Sequence, residues 1–227
     1  MARQLAGLTG RPFTGAPNSF AAQSSCDDLV RVSAALRALA VPLFKFANDL
    51  RWLGSGPRTG LGELILPANE PGSSIMPGKV NPTQAEAMLM VAVQVAGNDT
   101  AVSMAGAEGN FELNAFRPVI IKNVLHSARI LADMMLHFRT YLIEGAQLNT
   151  ETLSRNIDHS IMMVTALSPV IGYDQAARIA HHALGKGLAL KDAALECGVA
   201  EDLYDRIVDP ERLTRAGVSG PDGDDRP

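Results

Sequence analysis

Gly72-Ser73-Ser74-Ile75-Met76-Pro77-Gly78-Lys79-Val80-Asn81-Pro82 runs directly into Thr83-Gln84-Ala85-Glu86-Ala87-Met88, and that junction decides how the chain is read. The first part packs two hydroxyls, an ammonium, an amide and two glycines into a segment with no regular period. The second opens a segment, to about Met104, that is nearly all apolar and small. Asn81 suits the N-cap of that helix, Pro82 its first turn, and Gln84 the third position of a capping box. An amphipathic surface helix shows one apolar stripe, whereas this one is apolar on most faces. It is therefore expected to be buried among other helices, within one subunit or between subunits.

Working outward, the same helical period recurs on both sides. Upstream, Leu29, Val32, Leu36, Leu39, Leu43, Phe46 and Leu50 return at three- and four-residue steps from about Phe20 to Leu53. Pro42 is expected to kink or divide this helix, and Gly54, Gly56 and Pro57 to end it. Met1 to Gly10 already reads as helical, so the chain either begins there or is the back part of something longer. Residues 54–81 form a long irregular connection with apolar anchors and a possible short hairpin at Leu64 to Leu66. A connection of that length in a compact protein is usually functional or disordered. Downstream of a polar break at Asn110 to Asn114, Pro118 opens a helix to about Ile143, with Ile121, Leu125, Ile130, Met134, Leu136 and Phe138 inward. Two neighbouring helices of roughly 20 to 28 residues would be roughly 30 to 40 Å long, which suits a bundle.

After Gly145 the pieces shorten. Asn149 caps a helix from Glu151 to about Asp158, another covers Met162 to Leu167 and stops before Pro169, and Asp174 caps one to Lys186. Leu190 to Cys197 and Glu201 to Ile207 complete the set. The fold is read as all-α: a partial helical bundle over 1–147, a small all-helical domain over 148–212, and a Gly/Asp/Pro-rich disordered tail over 213–227.

Composition narrows the function. The 227 residues are 47% hydrophobic with a formal net charge of -4, enough to bury a core and with no global pull toward nucleic acid or an anionic membrane. Aromatics at 5% are too few for a base-stacking platform. Cys26 and Cys197 match no metal or redox spacing and read as reduced thiols of a cytoplasmic protein. No apolar run reaches the length of a membrane span.

The loop itself points to anion chemistry. Gly72 lets backbone approach a ligand, Lys79 offers a point charge for a carboxylate or phosphate, and Asn81 can donate through its amide. The N–H groups at the start of the next helix add positive field at the same place. It is not a nucleotide-binding P-loop, because Val80 and not Ser or Thr follows Lys79. On local physics alone, a small-anion site and a Ser/Gly-rich structural connector both stay open.

These residues resemble the signature loop of the fumarase/aspartase superfamily, whose members eliminate across a C–C bond to leave fumarate. The wider run looks like class II fumarase: Arg51-Trp52-Leu53, Ser55-Gly56-Pro57-Arg58, Glu70-Pro71-Gly72, Asn81-Pro82-Thr83-Gln84, Gly97-Asn98-Asp99, Gly109-Asn110-Phe111-Glu112-Leu113-Asn114 and Ile171-Gly172-Tyr173-Asp174. The resemblance implies that Ser73 is the base that takes the C3 proton of malate, as an alkoxide. Ser74, Lys79 and Asn81 then hold a substrate carboxylate and stabilise the aci-carboxylate that follows. Gly72 and Gly78 shape the loop, and Glu86 either pairs with Lys79 or is an ordinary first-turn acid. A serine hydroxyl is a very weak acid, so its ionisation needs a positive, preorganised and dry surrounding.

No Asp/Glu/His cluster suggests metal chemistry, and no cofactor is expected. The resemblance implies a malate/fumarate-type dicarboxylate as small-molecule partner and a homotetramer whose sites are assembled from several chains. The family's general acid is a histidine in an upstream Thr-His segment, which this sequence does not show; His126, His137, His159, His181 and His182 read as surface or packing residues. The resemblance starts partway through the central domain, so the chain is expected to be incomplete and inactive alone, with a separate chain as one source of the front half. Aspartase is the nearest rival; Gly78, Thr83-Gln84 and Gly109-Asn110-Phe111-Glu112 favour fumarase. A non-catalytic helical oligomerisation remnant is the reading from another class.

Overall fold

The computed structural model describes residues 1–70, 76 and 78–214, and the chain falls into two compact units, Met1–Gln147 and a second beginning at Leu148. The architecture is all-α; among the described residues the only strands are two of two residues each.

In the first unit, α1 spans Ala2–Thr9 and closes on Gly10 in the left-handed conformation, and α2 spans Ser19–Ser24 behind an Asn18 side-chain cap. The long helix α3 covers Asp27–Leu53, α4 covers Thr83–Ala107, and α5 covers Arg117–Phe138 before a π-helical turn at Arg139–Ile143. Both α3 and α5 pack along α4. Asp27 and Asp28 in the first turn of α3 and Arg51 in its last complement the helix dipole.

Several expectations are corrected here. The segment from Phe20 to Leu53 is two helices, broken at Ser25 and Cys26, and Pro42 does not divide α3. The bond lost at Pro42 is outweighed by packing, since Ala40, Ala47 and Leu50 around it are buried. The inward face of α3 combines the anticipated Leu29, Leu36, Leu43 and Leu50 with buried Ser33, Ala40 and Ala47, while Val32, Leu39 and Phe46 stay exposed. On α5 the buried stripe is Ile120, Val124, Ser127, Leu131, Met134 and Phe138, and the anticipated Ile121, Leu125 and Leu136 face outward. Helix α4 packs between α3 and α5 as anticipated, and within this single chain Met90, Val93 and Met104 are exposed. The anticipated hairpin at Leu64 to Leu66 is instead a strand, Leu64–Ile65, paired with Gln147–Leu148.

Two connections are rigid for visible reasons. After α3, the Ser55 hydroxyl donates to the Trp52 carbonyl and accepts from the Leu61 N–H at 3.0 Å, while the Ser55 carbonyl accepts from the Gly62 N–H at 2.8 Å. Gly60 lies so close that a Cβ would stand 2.3 Å from the Ser55 carbonyl carbon, so only glycine fits. Between α4 and α5, Asn114 is 1% exposed; its amide donates to the Ala105 and Glu108 carbonyls at 2.9 and 2.8 Å, and its oxygen accepts from the Phe116 N–H at 2.8 Å. Arg117 then ties the start of α5 to the Ala22 and Gln23 carbonyls.

The second unit holds α6 (Thr150–Asp158), a 3-10 turn at Ile161–Met163, α7 (Val164–Ile171), α8 (Tyr173–Lys186), α9 (Leu190–Glu196), α10 (Glu201–Ile207) and a 3-10 turn at Arg212–Thr214. Asn149 caps α6 as the sequence implies, accepting from the Thr152 N–H. Pro169 lies inside α7, which ends only at Gly172, and Asp174 sits in the first turn of α8, whose N-cap is Gly172. A core of Leu167, Ile179, Ala183, Leu190, Ala193, Ala194, Val199 and Tyr204 closes this unit. Most of the tail anticipated as disordered, residues 215–227, lies outside the described residues.

Candidate active-site loop

Of the residues singled out in the loop, Gly72, Ser73 and Ser74 lie outside the described residues, whereas Gly78, Lys79, Asn81 and Glu86 lie within them. The Lys79 N–H donates to the Met76 carbonyl at 3.3 Å, turning the chain back ahead of α4. Gly78 sits at φ +81, a conformation that favours glycine, with open space where a side chain would stand. The turn leaves the Lys79 side chain exposed, just ahead of half-buried Asn81.

Helix α4 then begins at Thr83, one residue later than its anticipated cap implies. Pro82, not Asn81, occupies the N-cap position, and no side chain caps the helix. The first helical bond runs from the Glu86 N–H to the Pro82 carbonyl at 3.0 Å. The capping box built on Asn81 and Gln84 is therefore not formed. Among the described residues, its absence leaves the Asn81 amide unused as a cap and the first-turn N–H groups of α4 without a capping side chain.

Glu86 lies within the first turn and a half of α4, but its ion pair is with Arg51 at the end of α3, at 3.8 Å, both side chains about half exposed. Among the described residues the ion pair of Glu86 is with Arg51, and none is formed with Lys79. Sequence reasoning missed Arg51 as that partner; its only signal was a basic residue in the last turn of α3. The base of α4 is otherwise fixed by apolar packing, with Ala85 and Met88 fully buried against Ala47, Leu50, Met134 and Phe138.

None of the described histidines forms a catalytic pair with these groups. His137 packs edge-on against Tyr141, and His182 pairs with Glu196 at 2.7 Å in the second unit. There Lys186 and His182 hold the Glu196 carboxyl below its ordinary range. Asp205 and Glu201 push the exposed Lys191 ammonium upward, and burial pushes the Tyr204 phenol upward. A cleft of about 670 Å³ also lies in that unit, lined by Tyr173, Asp174, Gln175, Arg178, Gly198 and Leu203. No loop residue lines it, so it does not mark the chemistry argued from the loop. Among the described residues no group of three or more His, Cys, Asp or Glu side chains gathers to hold a metal, and no helix is long and apolar enough to cross a membrane.

Comparison with known proteins meets this geometry at both ends of the chain. A family model described as lyase matches residues 1–97, and one described as fumarase C C-terminus matches residues 163–215. The chain belongs to the fumarase/aspartase superfamily. Within the superfamily it is similar to the fumarate hydratase class II of Methanosarcina acetivorans, 60% identical over 94% of this chain and 44% of that protein. It is 55% identical to the mitochondrial fumarate hydratase of Homo sapiens, over 94% of this chain and 42% of that protein. The crystal structure of class II fumarase from Schistosoma mansoni superposes with a TM-score of 0.83 at 39% identity, covering 93% of this chain and 46% of that one. The chain thus spans less than half the length of the relatives it matches, and the part matched is their C-terminal half.

Proposed function

We propose that this chain provides the base-bearing wall of a fumarate hydratase site, interconverting malate with fumarate and water. The observation that carries the reading is the start of α4: an exposed Lys79, an Asn81 that does not cap the helix, and first-turn N–H groups with no capping side chain among the described residues, in a superfamily member 60% identical to a fumarate hydratase. Those groups are near one another in sequence at the start of one helix, and each contributes positive potential. A dicarboxylate substrate needs such potential to bind, and a second negative charge develops on one of its carboxylates when the C3 proton leaves.

In this reading Ser73 takes the proton, and Ser74, Lys79 and Asn81 hold the carboxylate adjacent to C3 as it becomes an aci-carboxylate. Lys79 favours both the substrate carboxylate and the serine alkoxide, because both are anions in the same field. Gly78 aims the turn so that Lys79 enters the site while its backbone stays tied to Met76. Expulsion of the C2 hydroxyl requires a proton donor, and that group comes from the part of the relatives which this chain does not span. The chain alone is accordingly inactive, and it works in an assembly that supplies the donor, a homotetramer in the manner of the superfamily.

Fumarate formation, followed by ultraviolet absorbance, tests this with the 227-residue chain alone and after co-expression with a front half taken from the Methanosarcina acetivorans relative. The expected result is no turnover alone, malate turnover after co-expression, and none with aspartate. Turnover by the chain alone would overturn the incomplete-site part. Aspartate turnover in place of malate would overturn the hydratase assignment.

A further inference from the structure

The first unit carries a polar layer through the middle of an otherwise apolar bundle. On α4, Asn98 and Asp99 are 5% and 6% exposed, in the interior of a helix whose other buried residues are Ala, Met and Val. The Asn98 amide donates to the Ser127 hydroxyl of α5 at 3.0 Å and its oxygen accepts from Gln94 at 2.8 Å. Arg37 of α3 donates through Nε to Asp99 Oδ2 at 2.6 Å, and Ser33, one turn earlier on α3, is buried as well. Among the described residues the other carboxylate oxygen, Asp99 Oδ1, is buried without a hydrogen-bond partner.

The layer occupies the same level on every helix. On one side lies a cluster of Cys26, Val102, Ala105, Ile120 and Val124; on the other, Ala40, Ala92, Val95 and Leu131. Along α3 the order is Cys26, then Ser33 and Arg37, then Ala40; along α4 it is Val95, then Asn98 and Asp99, then Val102; along α5 it is Val124, Ser127, Leu131. The two apolar clusters are built from the same kinds of small and branched side chains. A slip of one helical turn, about 5.4 Å, would set apolar side chains against apolar side chains within these two clusters. At this level the polar layer therefore discriminates between axial settings of α4 more sharply than they do, and it adds to the packing of Ala85 and Met88 at the base of the helix.

We propose that this layer is the register key of the bundle: Arg37 with Asp99, and Asn98 with Ser127, admit one axial setting of α4 between α3 and α5. A slip of one turn in either direction puts the Asp99 carboxylate among Ala and Val side chains and sets Val95 or Val102 against the Arg37 guanidinium. Unpaired charge in an apolar cluster is strongly unfavourable, whereas removing both members of a buried pair is often neutral or better. The key has a consequence for the loop. Lys79 and Asn81 stand at the mouth of α4, so the register of α4 fixes their height, making Arg37 and Asp99 positioning residues for the site proposed above.

The two partners are not equivalent. Asp99 is buried and Arg37 is Asp99's ion partner, whereas the Arg37 side chain is 51% exposed and keeps access to water. Arg37→Leu is therefore expected to lower the melting temperature of the full chain by roughly 6 to 20 °C. Asp99→Leu lowers it by less, and the double variant returns to within a few degrees of the parent. Register is read separately, by electron-spin distance measurement between labels at exposed Val41 and Met104, with Cys26 and Cys197 replaced by Ala and labelled chain diluted in unlabelled chain. The parent and Asp99→Asn, which retains an acceptor for Arg37, are expected to give one narrow distance. The double variant gives a second component displaced by about a helical turn, and Asp99→Leu broadens the distribution even if the double variant fails to fold. One narrow distance in both leucine variants, or a larger loss for Asp99→Leu than for Arg37→Leu, would overturn the proposal. Neither readout depends on turnover, so a failure of the fumarase reading leaves this test intact.

Discussion

Asn114 offers a sharp test of how the two long helices are joined, because one side chain satisfies three backbone groups. Its amide caps the Ala105 and Glu108 carbonyls at the end of α4, and its oxygen holds the Phe116 N–H just before α5. Asn114→Ala removes all three bonds at a position 1% exposed. At roughly 1 kcal/mol per bond, the loss is about 3 kcal/mol, and more if the freed groups stay shut off from water. Asn114→Asp is nearly isosteric and separates the terms. Its carboxylate still accepts from Phe116, but it turns a second acceptor toward two carbonyl oxygens. It is expected to destabilise at least as much as Asn114→Ala at neutral pH while preserving slow hydrogen exchange at the Phe116 amide. Urea unfolding followed by circular dichroism gives the two free energies, and amide exchange gives the third observable. A loss below 1 kcal/mol for Asn114→Ala, or an Asp variant more stable than the Ala variant, would refute the reasoning.

Other consequences follow from single positions. Met88→Ala opens a cavity among Ala47, Leu50, Met134 and Phe138 at a fully buried site, and it should cost about 2 to 5 kcal/mol in the same unfolding measurement. Gly78→Ala meets no steric obstacle, yet it forces a side chain to φ +81. It should therefore cost roughly 1 to 2 kcal/mol locally and weaken dicarboxylate binding in a reconstituted assembly, measured by calorimetry. In the second unit the folded-state value of Glu196 lies below its ordinary 4.5, with Lys186 the larger cause and His182 the smaller. The stabilisation from that ionised carboxylate is thus complete above pH 4.5 and is lost as pH falls through the lower folded value. Glu196→Gln should remove that part of the acid-side decline in melting temperature and leave the rest unchanged.

Much of this molecule was legible in its sequence, because long helices are written in period and punctuation. The three- and four-residue steps of α3 and α5 and Asn149 before α6 all act locally. Which stripe of a helix turns inward was less legible. Leu29, Leu36, Leu43 and Leu50 on α3 and Ile130, Met134 and Phe138 on α5 turn toward the core as read. Val32, Leu39, Phe46, Ile121, Leu125 and Leu136 stay exposed; hydrophobicity alone does not say which apolar side of a helix meets a neighbour. Pro42 and Pro169 sit inside helices because tertiary packing outweighs one missing backbone bond, a trade that no local pattern reveals. At the loop, residue types point to anion chemistry, and the capping rules gave a cap that does not form. Nothing in the spacing joined Glu86 to Arg51, 35 positions earlier. That contact depends on how α3 meets α4, which is a property of the bundle.

The central claim is that the loop before α4 carries the base of a hydratase, and it is tested most directly at Ser73. The measurement is kcat and KM for malate dehydration by the chain reconstituted with a complementary front half, as parent and as Ser73→Ala. The account predicts a kcat lower by roughly 10² to 10⁴-fold with KM little changed, the mark of a lost base and not of lost binding. A Ser73→Ala assembly that dehydrates malate at the parental rate would contradict it.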